Sequence, residues 1–342
     1  MKTALLHYWL TNMRGGEKVL TALGEMFPDA DIFTHAYRPE RLAGLFDGHR
    51  VTESFIARLP FGRRHPQAYL PLMPRASRAL KLDGYDLIVS SESGPIKGIR
   101  KPAGARHICY CHTPMRYLWD MHDDYYRTAG PCGKLSMKLF TSYLRREDLK
   151  SAESVDTFVA NSAFVAERIR RIYARDAMVV HPPVDVEFYA NCARDAGDYY
   201  LFVGAPVKYK RLDLAEAACQ RMGRRLVVAG GGAFSREELR RLYAGAKALL
   251  FPGIEDFGIV PVEAQAAGTP VIAFAQGGAL ETMIDGETGL FFRKQTVDSL
   301  CETIEEFESK KWNPELCKRN ARRFAQETFK TKIMELLKNE RN

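Results

Sequence analysis

The alternation of strand-like and helix-like segments, which runs through the chain twice, constrains the fold more than any other feature of the sequence. Amphipathic patterns between short apolar runs predict helices, notably over 16–27, 134–150 and 163–173. This alternation predicts parallel sheets with helices on both faces. The apolar runs predict strands at 4–6, 31–34, 86–90, 106–110, 157–160 and 177–180, and again at 199–203, 225–229, 248–251, 270–274 and 290–292.

The interruption between the two series predicts a domain boundary. Residues 181–198 contain two prolines and then a polar run, which indicates an interdomain hinge. A chain of 342 residues is long for one core and suits two domains, here 1–182 and 183–326. Ligands bind such sheets beyond the carboxyl ends of the strands, so two facing sheets would place a site in the cleft between them.

Cysteine usage and hydropathy favour a cytoplasmic protein. The seven Cys are scattered without a C-x-x-C pair, and Cys109 and Cys111 would face one side of a strand. The N-terminus lacks the features of a signal peptide, and no apolar run approaches the ~20 residues of a membrane span. The sequence has no D-x-D after a strand and no Cys or His residues at metal-ligand spacing, so no metal site is expected.

The formal charge of +8 is concentrated in one stretch, residues 50–81, with seven bases and one acid. Large apolar residues interleave with these bases. The stretch is interpreted as a surface for an anionic membrane, with nucleic-acid binding and a simple solvated face as alternatives. The membrane is favoured over nucleic acid because the apolar residues are mostly aliphatic rather than a ladder of stacking aromatics.

Glu255 and Glu263 are two carboxylates eight positions apart, in the segment EDFGIVPVE. The first would lie in a loop after a strand and the second inside the following helix. Backbone N–H groups at a helix N-terminus, here Phe257, Gly258 and Ile259, favour a phosphate, and a carboxylate deeper in the helix would bind a ribose diol. The segment therefore predicts half of a sugar-nucleotide site.

This pattern, with GGALETMIDGETGLFF at 277–292, resembles the E-x7-E signature of retaining family 4 glycosyltransferases. The resemblance covers nearly the whole chain. It implies the GT-B fold, an α/β architecture of two Rossmann-like parallel-sheet domains facing across a cleft. It also implies that a last helix, about 327–342, returns to the first domain. The family signature implies that Glu255 binds donor-sugar hydroxyls and Glu263 the ribose.

Two further site segments follow strands of the first domain. Gly15 and Gly16, in RGGEKVL as in the family, would bring backbone N–H groups against a diphosphate. His112 stands in CHTPMRY, which resembles the mannosyltransferases of bacterial surface polysaccharides, and the resemblance implies contact with the sugar or departing phosphate. A lone His is more often structural. Tyr8, where the family often has Asp, receives no role.

The second domain contains the cation implied for the diphosphate and also departs from the family. Lys210 matches the family's diphosphate-binding Lys, but Ala205 stands where the family has Arg. Lys208 or Arg211 would have to substitute for that cation. After the strand at 225–229, residues 230–234 join directly to SREELRRLY, so one βα unit that helps to hold the base is missing from the expected order.

The resemblance implies metal-independent transfer of mannose from GDP-mannose to a lipid-linked or glycan acceptor, by a peripheral protein at the inner face of the membrane. Departure of the diphosphate would form an oxocarbenium-like transition state, so stabilisation of that diphosphate should dominate catalysis. Two alternatives stay open. One is a sugar-nucleotide epimerase of similar fold, and the other is a non-catalytic descendant that binds nucleotide sugar or membrane.

Overall fold

The computed structural model describes residues 1–13, 15–230 and 234–339, and the chain divides into two compact units, 1–180 and 181–342. Unit 1 contains a seven-stranded parallel sheet in the order β3-β2-β1-β4-β5-β6-β7. Its strands are β1 Thr3–His7, β2 Asp31–Thr34, β3 Val51–Glu53, β4 Leu87–Glu92, β5 Arg106–Cys111, β6 Thr157–Ala160 and β7 Ala177–Val179. Its helices are α1 Gly15–Met26, α2 Met73–Arg78, α3 His122–Thr128, α4 Pro131–Glu153 and α5 Ala163–Tyr173.

The central strands of unit 1 are buried on both faces, which explains why they are continuous apolar runs. Every residue of β1 is buried. Cys109 and Cys111 both pack in the cluster formed with Phe158 and Val165, so the prediction that they share a face is confirmed. All seven cysteines are free thiols.

A buried charge cluster joins α4 to this sheet. Lys97 Nζ lies 2.6 Å from Asp148 Oδ1 and 2.8 Å from Glu92 Oε1, and none of the three side chains is more than marginally exposed. Trp119 Nε1 and the Tyr173 hydroxyl donate to Asp148 Oδ2 at 2.8 and 2.9 Å. Burial of an ion pair is costly unless its remaining hydrogen bonds are made, and here they are made. The cluster fixes the C-terminal half of α4 on unit 1.

Unit 2 contains a five-stranded parallel sheet in the order β12-β11-β10-β8-β9. Its strands are β8 Tyr200–Val203, β9 Leu226–Ala229, β10 Ala248–Phe251, β11 Val271–Phe274 and β12 Gly289–Phe292. Its helices are α6 Val186–Ala190, α7 Leu212–Arg221, α8 Arg236–Gly245, α9 Ile259–Ala266, α10 Ala279–Thr282, α11 Val297–Glu308, α12 Pro314–Ala321 and α13 Gln326–Asn339.

The edge strand β9 precedes the junction where a βα unit was predicted to be missing. Among the described residues of this sheet no strand lies beyond β9, and α8 and β10 follow in the chain. Residues 231–233 of the predicted junction lie outside the described residues. The return of the last helix to the first domain stays a prediction.

Three details differ from the sequence-based expectation. Strand β3 was not predicted, because it is a half-buried edge strand of three residues without an apolar run. The pattern over 314–326 predicts one helix, but α12 ends at Ala321 and a single 3-10 turn follows. Ala325 is extended there because it pairs with Val184, whose backbone N–H donates to the Phe324 carbonyl at 2.9 Å. Val184 also shows that part of the predicted hinge segment 181–198 packs in the core of unit 2.

The basic run 50–81 folds around a small core of its own. Ile56 and Met73 are fully buried, and four of its other large apolar residues pack against them. Phe61 and Leu72 are the large apolar side chains of this run that are exposed. Most of the large apolar residues of this run therefore pack locally, and contact of the run with a membrane stays a prediction. No helix among the described residues has the length and apolar character needed to cross a membrane.

We predict that unit 1 loses stability as the pH falls, because burial lowers the pKa of His35 and of His107 from 6.5 to about 4. Between these values the unfolded chain binds protons that the folded chain does not. The unfolding free energy should therefore decrease by about 1.4 kcal/mol per pH unit for each histidine below pH 6.5. Urea unfolding at pH 7 and pH 5 measures this slope.

His35→Gln should make the slope shallower by one histidine's share. An unaltered slope in His35→Gln would show that this imidazole does not titrate as the buried geometry requires.

Candidate active site

Lys210 and Glu255 lie in contact beyond the carboxyl ends of β8 and β10, two neighbouring strands of unit 2. Lys210 Nζ is 2.9 Å from Glu255 Oε1, and the two side chains keep 16% and 18% of their surface exposed. Each group thus stays accessible while the pair is largely shielded from water. The sequence predicted diphosphate binding for one and sugar binding for the other, and the structure brings them together.

Glycines allow the loops of this site to approach so closely. A Cβ on Gly253 would lie 2.7 Å from Lys210 Cα and from the Tyr209 carbonyl oxygen. A Cβ on Gly278 would lie 2.3 Å from Phe257 Cα, and the Gly278 N–H donates to the Glu255 carbonyl at 2.9 Å. Any larger residue at these two positions would push the loops apart and separate Lys210 from Glu255.

The N-terminus of α9 follows Glu255 directly. Gly258 is its N-cap residue in a left-handed conformation, with φ of +85°, and no side chain caps the helix. Its first turn contains no acidic residue, and Pro261 has no N–H. The first-turn N–H groups of Ile259 and Val260 have no acceptor within the helix. With Phe257 in the preceding turn, this geometry suits an anion, as the sequence predicted.

Glu263 is buried inside α9. The Tyr243 hydroxyl donates to its Oε2 at 3.0 Å. Burial and this carboxylate raise the pKa of Tyr243 and of Tyr189 well above the usual range, so both phenols stay protonated and able to donate. The carboxylate is therefore held in one orientation, and its contact with a ribose stays a prediction.

Lys208 and Arg211 are the two cations near Ala205 that the sequence offered as substitutes for the missing Arg. Ala205 itself is exposed. The Arg211 guanidinium is held by Asp213, with Nε 3.0 Å from Oδ1. Lys208 is exposed on the same turn as Lys210. Lys208 is thus better placed than Arg211 to supply a second cation.

His112 lies at the end of β5 in unit 1. Its backbone N–H donates to the Glu92 carbonyl at 2.8 Å, and its Nε2 is 2.9 Å from Ser91 Oγ. Burial, with a smaller contribution from His7, lowers the pKa of His112 to about 3. The imidazole is therefore neutral near pH 7 and acts through hydrogen bonds rather than charge.

Gly15 and Gly16 begin α1 and lie beside His112. A Cβ on Gly16 would be 3.3 Å from His112 Nε2, 3.3 Å from His7 Cε1 and 3.4 Å from the Tyr8 hydroxyl. His7 is fully buried, with its Nε2 3.7 Å from Glu17 Oε1. The predicted residues of unit 1 thus form one cluster, to which His7 and Tyr8 also belong.

Sequence reasoning missed several residues of these two clusters. His181 stacks on Phe257 with ring centroids 5.4 Å apart, and its Nε2 is 3.0 Å from Glu281 Oε2. Ser91 orients His112. A single His or Ser has no periodic signal; the paired glycines 277 and 278 before Glu281 are the signal that could have indicated a close approach here.

One cavity of about 320 Å³ opens elsewhere in unit 1, between α2 and α4. Pro74, Met115 and Leu144 line it together with Arg78 and Glu147, and none of the predicted site residues does. Among the described residues no group of three or more His, Cys, Asp or Glu side chains is arranged to hold a metal ion.

Two family models match the chain. The model described as Glycosyltransferase Family 4 matches residues 13–188, and the one described as Glycosyl transferases group 1 matches residues 231–324. Between them they cover the segments that contain Gly15, Gly16 and His112 on one side and Glu255 to Glu263 on the other.

Among curated proteins, the chain is similar to the D-inositol 3-phosphate glycosyltransferases of Mycolicibacterium smegmatis and of Mycobacterium sp. strain KMS. The identities are 28% over 197 residues and 30% over 196 residues. Each match covers 45% of this chain and 45% of the relative, so it spans less than half the length of these relatives.

Two solved structures are similar over nearly the whole chain. They are Anabaena Alr3699/HepE in complex with UDP and glucose, with a TM-score of 0.69 and 16% identity, and the sucrose-phosphate synthase of Thermosynechococcus elongatus, with 0.72 and 18%. Both matches cover 99% of this chain, and they cover 100% of the Anabaena chain and 99% of the Thermosynechococcus chain. With the two parallel-sheet units, this likeness confirms the predicted GT-B fold.

We predict that Lys210→Ala weakens binding of GDP or UDP by about 1.5–3 kcal/mol, because a charge-assisted hydrogen bond to the diphosphate is lost. Lys310→Ala is the matched control, since it removes the same charge from an exposed lysine after α11 and should leave the affinity unchanged. Isothermal titration measures both. Equal nucleotide affinity in wild type and Lys210→Ala would remove Lys210 from the site.

Proposed function

Because the chain belongs to glycosyltransferase family 4, we propose that it transfers mannose from GDP-mannose, with retention of configuration, to a lipid-linked or glycan acceptor of surface-polysaccharide biosynthesis. The observation that carries this proposal is the 2.9 Å contact of Lys210 with Glu255 beside the uncapped start of α9. The string CHTPMRY at 111–117 supports mannose as the sugar.

The leaving diphosphate is stabilised by Lys210 and by the backbone N–H groups at the start of α9. Transfer requires that negative charge accumulates on the diphosphate as the bond to the sugar C1 breaks. A partly buried ammonium and a helix N-terminus both favour that charge, and both are already in place. No metal ion is required in this proposal, and activity should therefore survive EDTA.

Glu255 orients the sugar. Its carboxylate accepts hydrogen bonds from donor hydroxyls, and Lys210 compensates its charge so that it does not repel the diphosphate. Glu263, oriented by Tyr243, binds the ribose. For His112, the proposed role is a hydrogen bond from its neutral imidazole to the sugar or the departing phosphate.

The acceptor and the cellular location are also part of the proposal. A lipid-linked acceptor requires a peripheral protein at the cytoplasmic face of a membrane. Nucleic acid is not proposed as a partner. The relatives named for inositol 3-phosphate suggest one further acceptor to assay, and the neighbour bound to UDP-glucose suggests one further donor.

We predict that Glu255→Gln and Glu263→Ala strongly impair mannosyl transfer while the protein stays folded. Glu255→Gln keeps the shape but loses the charge that sugar hydroxyls and Lys210 contact. Glu255→Asp is the matched control and should retain part of the activity, since it keeps the carboxylate. The assay uses GDP-mannose and UDP-glucose with lipid-linked, glycan and inositol phosphate acceptors.

The products distinguish the alternatives. Transfer by wild type and its loss in both variants supports the proposal, and wild-type turnover in both variants would refute the site. Conversion into a different nucleotide sugar, with the bond to the diphosphate intact and without acceptor, would identify an epimerase. Nucleotide-sugar binding without turnover of any donor would identify a non-catalytic descendant.

We also predict that Ala205→Arg tightens GDP binding by about tenfold, the usual effect of one added charge-assisted contact. The substitution restores a cation at the position where the family has Arg. Ala205→Gln, of similar length and without charge, is the control. Unchanged affinity in Ala205→Arg would mean that this turn does not face the diphosphate.

A further inference from the structure

Helix α4 exposes leucine side chains that a surface helix ordinarily buries. Leu135 and Leu139 are 58% and 62% exposed, and they lie one turn apart on the same side of the helix. The side chains that α4 buries, Leu144 and Asp148, lie on the opposite side, because nine residues correspond to two and a half turns. A surface helix ordinarily exposes its polar face.

The exposed part is the N-terminal half of the helix. All three buried residues of this 23-residue helix, Leu144, Asp148 and Ala152, belong to its C-terminal half. The bonds of Asp148 to Lys97, Trp119 and Tyr173 hold that half on unit 1. The N-terminal half therefore extends from a fixed base, and its exposure is not the fraying of a loose end.

Helix α3 continues the same surface. Tyr125 and Tyr126 are exposed on α3, Phe140 is exposed on α4, and the Lys134 ammonium lies 6.0 Å from the centre of the Tyr126 ring. The α3–α4 surface is defined here by these residues and the bases among them: Tyr125, Tyr126, Arg127, Lys134, Leu135, Lys138, Leu139 and Phe140.

The charge of this segment has one sign. From Tyr125 through Arg146 there are five bases and no acid. The acids just before it are engaged locally, since Asp124 lies 4.0 Å from Arg127 and Asp123 lies 3.0 Å from His122. A partner must therefore be anionic and must also accept leucine and aromatic side chains.

An anionic lipid bilayer meets both requirements. A second copy of the chain would bring like charges together, and nucleic acid offers no apolar layer for Leu135 and Leu139. Basic side chains attract anionic headgroups, leucines enter the acyl boundary, and tyrosines favour the interface between the two. We infer that the α3–α4 surface docks unit 1 on the anionic face of a bilayer.

This inference replaces the basic run 50–81 as the principal membrane contact. That run exposes Phe61 and Leu72 but buries Ile56 and Met73, whereas the α3–α4 surface exposes its apolar residues side by side. The α3–α4 surface also lies in the β5–β6 crossover, which begins with His112. The inference rests on the proposed function in one respect only: docking would serve to present a membrane-borne acceptor to unit 1.

Vesicle co-sedimentation of the full chain tests the docking. We expect wild type to bind phosphatidylglycerol-containing vesicles more strongly than pure phosphatidylcholine, and less strongly as salt rises. Leu135→Glu/Leu139→Glu should weaken binding by at least about tenfold, because two apolar anchors are lost and two like charges are added. Lys134→Glu/Lys138→Glu should abolish the preference for anionic lipid.

The controls separate this surface from others. Leu45→Glu changes an exposed leucine elsewhere in unit 1 and should bind vesicles like wild type. The triple variant Arg58→Glu/Arg63→Glu/Arg64→Glu should bind only modestly more weakly than wild type, because it loses some electrostatic attraction. Equal melting temperatures would show that all variants are folded. Full loss of binding in the triple variant with retention in Leu135→Glu/Leu139→Glu would overturn the inference in favour of the basic run.

Transfer assays with two kinds of acceptor distinguish an effect on docking from an effect on catalysis. Transfer to a short soluble acceptor should survive Leu135→Glu/Leu139→Glu, while transfer to a vesicle-bound acceptor should fall. Absence of transfer in wild type would refute the proposed function but not the vesicle result. If wild type is a dimer that this variant dissociates, with vesicle binding unchanged, the surface is a contact between copies and the inference is wrong.

Discussion

The ion pair between Lys210 and Glu255 is the interaction on which the site of unit 2 depends. The two groups come from loops after neighbouring parallel strands, whose carboxyl ends share one edge of the sheet. Their shielding makes the attraction stronger than between fully solvated charges, yet both keep exposed surface that a ligand can reach. The pair thus offers a positioned ammonium for the diphosphate of the proposed donor and a charge-compensated carboxylate for its sugar.

Much of this arrangement followed from the sequence. Except for β3, the strands appear where apolar runs predicted them, because central parallel strands buried on both faces need such runs. Lys210 and Glu255 were predicted as site residues because they follow strands in strings that resemble those of family 4. The contact of Gly253 with the Lys210 backbone could not be predicted, because it depends on how two loops fold against each other.

Other features were predictable only in part. The pattern over 134–150 predicted a helix, but a periodic pattern does not say which face the rest of the molecule covers. Leu135 and Leu139 are exposed because the face of the helix that unit 1 covers is the one that contains Leu144 and Asp148. Similarly, interleaved bases and apolar residues in 50–81 cannot distinguish a membrane surface from a small core such as that of Ile56 and Met73.

The central claim is that a nucleotide-activated sugar is transferred with retention at a site that contains this ion pair. Its most direct test is the anomeric configuration of the glycoside formed by wild-type protein from GDP-α-mannose, determined by NMR from the one-bond coupling at C1. The account predicts an α-mannoside. A β-mannoside, or an epimerised sugar nucleotide formed without any acceptor, would contradict it.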